Sequence, residues 1–430
     1  MSDRDLPGAS RRGFLQNAGM LAAAAGASLA PALPAEARTS ELAEPKNAGD
    51  AEPFYGTRQS GILTPAQRHS YFAAFDLETE KRDDVIALLR SWTQASAALT
   101  KGEAPPASAY GGDTYASGPG TDALGLGPSR LTLTFGFGAG LFTKDGKDRY
   151  GLAAARPAAL VDLPKFPGDQ LVEARSGGDI SVQACAEDPQ VTFHAVRRLS
   201  QLAWGKAHIR WAQTGFLPNS TPGETPRNLM GFKDGTSNVS AKDDAALEKF
   251  IFVGNDGPPW MRGGSYVVTR RILIALEHWD RMHPNFQEQA IGRQRTSGAP
   301  LGKTGEFDDI DLMSADKDGN PVMPVNAHVR LAAAESNDGA RILRRPYSYN
   351  DGVAYTAERW PPWRQGIEYD AGLFFICYQR DPREGFVKIF SKLAKFDMLN
   401  QFATHTGGAL FACPAGVTPG EYIGQKLFSA

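Results

Sequence analysis

Cysteine is scarce in this sequence. The 430 residues include three cysteines, Cys185, Cys377 and Cys413. None of them belongs to a CxxC pair, to a zinc-binding pattern or to the CxxCH motif that attaches haem covalently. At most one disulfide could form, which excludes a small disulfide-stapled fold. We therefore expect buried, unreactive thiols.

An excess of charge of either sign is also absent. Lysine and arginine total 46, aspartate and glutamate total 48, and the formal net charge is −2 with the two signs interspersed. This balance excludes long-range attraction to nucleic acid or to an anionic membrane surface. With 42% hydrophobic and 22% charged residues the composition is globular, and a chain of 430 residues favours two domains over one.

Long hydrophobic runs are missing too, even at the N-terminus. The apolar run at residues 20–32 is shorter than the roughly 20 residues that cross a bilayer. It follows Arg11 and Arg12 in the segment SRRGFLQ, and it precedes Ala35-Glu36-Ala37, whose small residues suit signal-peptidase cleavage. The pattern predicts a twin-arginine (Tat) signal peptide over residues 1–37, and export to the periplasm or beyond by the Tat machinery.

The competing interpretations of this terminus are a disordered basic tail and a membrane anchor. After cleavage we expect no membrane span. Residues 38–60 are rich in alanine, glutamate, proline and glycine, and this composition predicts a linker.

What the sequence does contain is one pattern of elements, used twice. In the first half, alternating apolar runs predict strands, and apolar residues spaced by three and four predict helices. The strands are predicted over residues 71–77, 130–137, 179–186 and 208–216, and the helices over residues 83–99 and from Asp188-Pro189 onward. Their order is βαββαβ, which is the ferredoxin-like arrangement.

The second half repeats this order with one addition. Strands are predicted over residues 265–276, 341–349, 372–379 and 409–413, and helices over residues 277–291 and 386–394. About fifty residues, 292–340, are inserted after the first helix, and a long insertion in one copy is where a binding site is expected. We predict an α+β fold with two ferredoxin-like domains, over residues 61–225 and 226–430, each an antiparallel sheet with helices packed on it.

Three segments of the second half carry residues that could perform chemistry. Asp234 lies between glycines in GFKDGTSN, although an Asp-Gly pair by itself is most often a turn. His328, in NAHVRL, lies inside the insertion, where a lone histidine beside apolar residues is more often structural than a ligand. Arg344 and Arg345 are adjacent on a predicted strand, so alternation lets only one of them point to a given site.

Taken together and in order, these segments resemble the dye-decolourising peroxidase family, and they are most similar to its deferrochelatase/peroxidase branch, which is linked to bacterial iron uptake. The resemblance runs from about residue 67 to the C-terminus. It is carried by GFKDGTSN, GGSY, EHWDR, GAPLG, HVRL, LRRPYSY and GLFFICYQ. It implies a haem peroxidase with one haem b per chain, two ferredoxin-like domains and Tat export.

The resemblance also implies roles for four residues. His328 would be the proximal ligand of the haem iron, and Asp397, in KFDMLN, would accept a hydrogen bond from its other ring nitrogen. Asp234 would shuttle the proton of hydrogen peroxide on the distal side, and Arg344 would stabilise the departing oxygen. An aspartate in place of the distal histidine of other peroxidases implies an acidic pH optimum.

Arg330, Ser237 and Asn238 are further candidates, as neighbours of the haem propionates. On this interpretation the partners are hydrogen peroxide and an organic reductant, which is oxidised in one-electron steps. The alternative is a haem-binding deferrochelatase, which would release iron from haem in the same pocket. Its further partners would be components of a periplasmic iron-uptake system. A third hypothesis, a ferredoxin-like binding domain without cofactor, requires His328 to be structural. The oligomeric state, monomer or homodimer, is left open.

Overall fold

A computed structural model describes residues 50–103, 109–110, 115–116, 125–219, 224–357 and 365–429. The predicted signal peptide over residues 1–37 lies outside these ranges. Within them, no helix combines the length and the apolar character that a bilayer crossing requires.

The helices of the first half form where the sequence predicts them. In the helix Arg82–Leu99, the residues Val85, Leu88, Leu89 and Trp92 are buried at helical spacing. Asp188 precedes the helix Pro189–Leu202 and caps it by accepting a hydrogen bond from the backbone N–H of Gln190 at 2.7 Å. The elements of this half are β1 (His69–Leu77), α1 (Arg82–Leu99), β2 (Ala109–Tyr110), β3 (Tyr115–Ala116), β4 (Thr132–Phe137), α2 (Ala139–Phe142), β5 (Ile180–Ala186), α3 (Pro189–Leu202) and β6 (Ala207–Phe216).

Two predicted elements of the second half are divided in the structure, both at a proline. The helix predicted over residues 277–291 is two helices, because Pro284 starts a new one. The strand predicted over residues 341–349 is interrupted after Arg344, because Pro346 has no N–H to donate. The elements are α4 (Asp244–Ala246), β7 (Ser265–Ile274), α5 (Leu276–Trp279), α6 (Pro284–Ile291), α7 (His328–Ala332), β8 (Leu343–Arg344), β9 (Tyr347–Ala357), β10 (Gln365–Gln379), α8 (Phe386–Phe396), β11 (Ala403–Cys413) and α9 (Gln425–Phe428).

The long strands of both halves belong to one antiparallel sheet. Within the first half the strand order is β4-β5-β1-β6, and within the second it is β11-β7-β10-β9. The halves join at two seams, where Ala412 pairs with Phe137 and Phe216 pairs with Ser348. Because β7 also pairs with β10, the sheet closes into a barrel.

This closure differs from the expectation of a separate sheet in each half. The predicted α+β class with antiparallel pairing is confirmed. Pairing across the seams gives the outer strands β4, β6, β9 and β11 a partner, and an unpaired edge would otherwise be exposed to other chains.

Alternation along the strands divides the core into an inner and an outer part. On β1, Phe72 and Ala74 point into the barrel, whereas Ala73 and Phe75 pack on the outer side with α1 and α3. Inside the barrel, the ring of Phe72 stacks on Trp211 with centroids 5.4 Å apart. In the second half, α8 packs on the outer side of β10.

The three cysteines are free and buried, as predicted. Burial raises the pKa of the Cys377 thiol to about 12, so this thiol stays protonated and unreactive at neutral pH.

The last part of the predicted linker, residues 50–60, is packed against the rest of the molecule, contrary to the linker expectation. Phe54 is buried. The amide of Gln59 donates to the carbonyl of Phe135 at 2.9 Å and accepts from the N–H of the same residue at 2.8 Å. A buried aromatic and a buried, fully bonded amide fix this segment in place.

Candidate active site

His328 is the first residue of α7, inside the insertion of residues 292–340. Its Nδ1 lies 2.6 Å from Oδ2 of Asp397. Asp397 follows the end of α8, is 4% exposed, and accepts a second hydrogen bond at Oδ1 from the N–H of Leu399 at 2.8 Å. The carboxylate is therefore held from both sides, and it fixes the orientation of the His328 ring.

The protonation of His328 is governed by burial and by Asp397. Burial lowers the pKa of His328, but the negative charge of Asp397 and its hydrogen bond outweigh burial and raise the pKa above its ordinary value. Smaller contributions come from Arg344, which lowers this pKa, and from Asp234, which raises it.

The free side of the His328 ring suits a metal ligand. Nδ1 is committed to Asp397, which leaves Nε2 for coordination. The side chain is 35% exposed, so part of the ring remains accessible. Neutral imidazole, oriented by a carboxylate at its other nitrogen, is the donor that haem iron takes from a proximal histidine. The residues present therefore fit haem.

Asp234 and Arg344 form the second pair of the site. Oδ1 of Asp234 accepts a hydrogen bond from Nη1 of Arg344 at 2.7 Å, and the two side chains are 16% and 26% exposed. Asp234 lies in a turn in which Gly235 has a φ of +129°, a conformation that strongly favours glycine. The turn is fixed by a hydrogen bond from the Asp234 N–H to the carbonyl of Pro226 at 2.8 Å.

The two adjacent arginines point to different places, as strand alternation predicts. Arg344 reaches Asp234, whereas the side chain of Arg345 is buried in the barrel and donates to the carbonyl of Thr64 and to Oε1 of Gln67. Arg345 therefore has a structural environment, and of the two arginines it is Arg344 that contacts Asp234.

The remaining predicted residues have clear partners within the protein. Oγ of Ser237 accepts a hydrogen bond from Nη2 of Arg293 at 3.0 Å. The side-chain amide of Asn238 bonds the backbone of Arg344. Nη1 of Arg330, on α7, donates to the carbonyl of Met323 at 3.2 Å. Ser237 and Asn238 thus join the Asp234 turn, while Arg330 braces the insertion beside His328.

Sequence reasoning missed two residues that tie the insertion to the Asp234 turn. Glu306 bonds Lys233, and it accepts from Oγ1 of Thr236 at 3.1 Å. Arg293 is 5% exposed, and besides Ser237 it donates to the carbonyls of Gly298 and Glu306, at 2.7 and 3.0 Å. The only sequence signal was their place in the insertion, since an isolated arginine or glutamate has no motif.

Comparison with known proteins places both halves in one family. The family model described as Dyp-type peroxidase, N-terminal, matches residues 59–217, and the model described as Dyp-type peroxidase, C-terminal, matches residues 225–418.

Similar proteins extend over nearly the full length. The chain is 39% identical to the dye-decolorizing peroxidase of Thermobifida fusca, over 99% of this chain and 98% of that protein. It is 35% identical to the deferrochelatase of Escherichia coli K12, over 97% of this chain and 96% of that protein.

Solved structures agree with these relatives. A DyP-type peroxidase from Streptomyces coelicolor is 40% identical and superposes with a TM-score of 0.79, over 88% of this chain and 97% of that one. Ferric DtpA from Streptomyces lividans gives the same identity, TM-score and coverage. With both family models matched and these relatives aligned along almost its entire length, the chain belongs to the Dyp-type peroxidase family and is a haem-dependent peroxidase.

Proposed function

We propose that His328 binds the haem iron through Nε2 and that Asp397 holds the ring for this purpose. The 2.6 Å contact at Nδ1 and the 4% exposure of Asp397 support this assignment. A buried carboxylate at Nδ1 selects the tautomer whose Nε2 carries the lone pair, and its negative charge increases the donor strength of that nitrogen.

Asp234 and Arg344 act on hydrogen peroxide in this proposal. Haem, when bound, supplies the iron and the electrons that the reduction of peroxide requires. Asp234 accepts a proton from one peroxide oxygen and delivers it to the other, which departs as water. Arg344 stabilises the negative charge that develops on the departing oxygen, and it stays protonated at any working pH.

The observation that carries the proposal is the connection between two charged pairs. The histidine–carboxylate pair and the carboxylate–arginine pair come from segments far apart in the sequence. The insertion that contains His328 is nevertheless bonded to the Asp234 turn, by Arg293 to Ser237 at 3.0 Å and by Thr236 to Glu306 at 3.1 Å.

The test is the absorbance of the purified protein near the Soret band, before and after one equivalent of hydrogen peroxide. We expect a Soret band that changes at once and returns when an organic donor is added. Protein that carries no Soret band after haem is supplied would overturn the proposal and support a binding domain without cofactor.

Ser237, Asn238 and Arg330 are proposed to lie beside the haem, at the side of its propionates. The Ser237–Arg293 hydrogen bond at 3.0 Å supports this, because it brings a buried cation to the Asp234 turn. The Ser237→Ala variant should still bind haem but should lose it faster, measured as the rate of haem transfer to apomyoglobin.

A second function, the release of iron from haem, is favoured by the 35% identity to a deferrochelatase. Both activities would use the cleft beside His328. Protein incubated with haem and a reductant should then yield metal-free porphyrin, which is detected by its fluorescence. Intact haem in this assay, with rapid turnover of peroxide and donor, would leave the peroxidase as the main activity.

Export by the Tat pathway to the periplasm or beyond is proposed from the paired Arg11 and Arg12 before a short apolar run. Tat carriers read the paired arginines and accept folded cargo. The double variant Arg11→Lys, Arg12→Lys should therefore stay in the cytoplasm, folded and with haem bound. Undiminished export of this variant in cell fractions would contradict the proposal.

We further propose that the halves are two ferredoxin-like domains, over residues 61–225 and 226–430. In each half the second, third, first and fourth long strands lie side by side in that order, which supports a common topology.

A further inference from the structure

Asn238 holds the backbone of Arg344 at both of its polar groups. Oδ1 of Asn238 accepts a hydrogen bond from the Arg344 N–H at 2.8 Å, and Nδ2 donates to the Arg344 carbonyl at 2.7 Å. The amide therefore imitates the backbone of a neighbouring strand.

This contact matters because β8 is only two residues long. On one side of β8, Arg344 is paired with Cys377 of β10. On the other side, the Asn238 amide takes the place of a strand. The interruption at Pro346 ends regular pairing immediately afterwards, so the conformation of Arg344 depends on these two neighbours.

Asn238 is also tied to Asp234. Both residues belong to the same turn, which is closed by a hydrogen bond from the Asn238 N–H to the carbonyl of Gly235 at 3.0 Å. One turn thus carries the carboxylate that bonds the Arg344 guanidinium and the amide that bonds the Arg344 backbone. Its shape sets the distance between acid and arginine.

We propose that Asn238 is a positioning residue of the peroxide reaction, which acts by fixing Arg344 against Asp234. The inference rests on the proposed roles of Asp234 and Arg344. Oδ1 of Asn238 accepts from the N–H groups of Arg344 and Val239, at 2.8 and 3.1 Å, and one of the two N–H groups on Nδ2 is committed to the Arg344 carbonyl. The effect of Asn238 on the reaction is exerted through Arg344.

The first test replaces Asn238 with alanine in the full-length holoprotein. We expect the second-order rate with hydrogen peroxide to fall by about 10- to 100-fold, because small displacements of a reacting group cost this much. The Soret spectrum of the resting protein should be unchanged. The control is Asn350→Ala, which removes an exposed amide that accepts from the N–H of Gly352 at 3.0 Å, and its rate should match the wild type.

A double-mutant cycle with Arg344→Leu separates positioning from general destabilisation. If Asn238 acts through Arg344, adding Asn238→Ala to Arg344→Leu should slow the reaction by less than about threefold more. Multiplicative losses would overturn the inference while leaving Arg344 in place. A wild-type rate in Arg344→Leu itself would overturn the proposed function instead.

The variant Asn238→Asp supplies a readout that a merely structural role would not move. The introduced carboxylate can still accept from the Arg344 N–H, but it donates to the Arg344 carbonyl only when protonated. Relative to wild type, the peroxide rate of this variant should rise as pH falls toward the ordinary carboxyl pKa of about 3.9. A rate ratio that is flat or falling over this range would overturn the inference.

Discussion

The two halves of the molecule each contain a histidine paired through Nδ1 with a carboxylate, and the two pairs differ in burial. In the first half, His208 lies 3.0 Å from Oε1 of Glu78, with side chains that are 56% and 49% exposed. In the second half, His328 lies 2.6 Å from Asp397, and the carboxylate is 4% exposed. The same two types of side chain therefore lie in opposite environments.

The difference shows that the surroundings of a pair decide what the pair can do. Water surrounds Glu78 and His208, so their interaction is screened, and exposed pairs of this kind typically contribute about 0–1 kcal/mol. Asp397 has lost that water and is held by a backbone N–H, so its charge acts on one ring in one orientation. The insertion of residues 292–340, which contains His328, contacts the residue after Asp397: the carbonyl of Asn326 accepts a hydrogen bond from the N–H of Met398 at 3.2 Å.

The largest expected difference between the two pairs is in haem retention after each histidine is replaced. Replacing His328 with alanine should abolish stable haem retention, because its Nε2 is the proposed protein bond to iron. Replacing His208 with alanine should leave the Soret absorbance per protein unchanged. A full Soret band with wild-type ligand-field bands in the His328 variant would contradict the assignment.

Next in size are the effects at the Asp234–Arg344 pair. Asp234→Asn and Arg344→Leu should each slow the reaction with peroxide by about 10²–10⁴-fold while haem stays bound. Both residues act on one transition state, so the double variant should be far less than multiplicatively slower. Stopped-flow rates of the four proteins at one acidic pH measure this, and wild-type rates in both single variants would remove the pair from the mechanism.

A smaller effect is expected at the carboxylates of the two pairs. Asp397→Asn keeps a hydrogen-bond acceptor near Nδ1 but removes the charge, and haem affinity should fall by about 10- to 100-fold. Glu78→Gln makes the same change in the exposed pair and should leave haem affinity unaltered. Equal behaviour of the two variants in haem transfer to apomyoglobin would show that burial of the carboxylate is unimportant.

The last effect is on folding rather than on haem, and it concerns a third histidine, His405 on β11. Burial, and then the charge of Arg270, lower the pKa of His405 to about 3. The unfolded chain, with an ordinary histidine pKa near 6.5, therefore binds this proton first. The contribution of His405 to the stability of the fold is therefore fully present above pH 6.5. As the pH falls from 6.5 to 3, protonation of this residue in the unfolded chain should reduce the folding constant by up to about tenfold per pH unit.

Urea unfolding at pH 7 and pH 5 checks the last expectation. His405→Phe should lose less stability between the two pH values than the wild type. An unchanged pH dependence in the His405 variant would show that this histidine does not titrate as its burial implies.

Much of the architecture could be predicted from local patterns, because periodicity is set by which faces are buried. The apolar spacing in α1 and the alternation of β1 both predicted their elements to within a few residues. The barrel could not be predicted, since the seams depend on single pairs between residues such as Phe216 and Ser348, which carry no local signal. The packed segment around Gln59 was missed for the same reason: its hydrogen bonds go to residues far away in the sequence.

The candidate site was predictable to the extent that its residues lie in motifs. The segments GFKDGTSN and HVRL pointed to Asp234 and His328 as candidates through the family resemblance, and alternation allowed only one of Arg344 and Arg345 to point to a given site. The supporting residues Arg293 and Glu306 were not predictable, because the insertion has little periodic structure and its contacts with the turn form only in three dimensions. The double contact of Asn238 with the Arg344 backbone likewise depends on where β8 ends.

The shortness of the seams has a consequence for the order in which the molecule is assembled during synthesis. β1 and β5 share seven residue pairs within the first half, whereas each seam consists of a single pair. The first half can therefore complete its internal pairing while the ribosome is still making the second. During that interval β4 and β6 are bare edges that could associate with other chains. They stay unprotected until residue 348 and residue 412 have been made, so the risk of aggregation is greatest in the nascent chain that has finished only its first half.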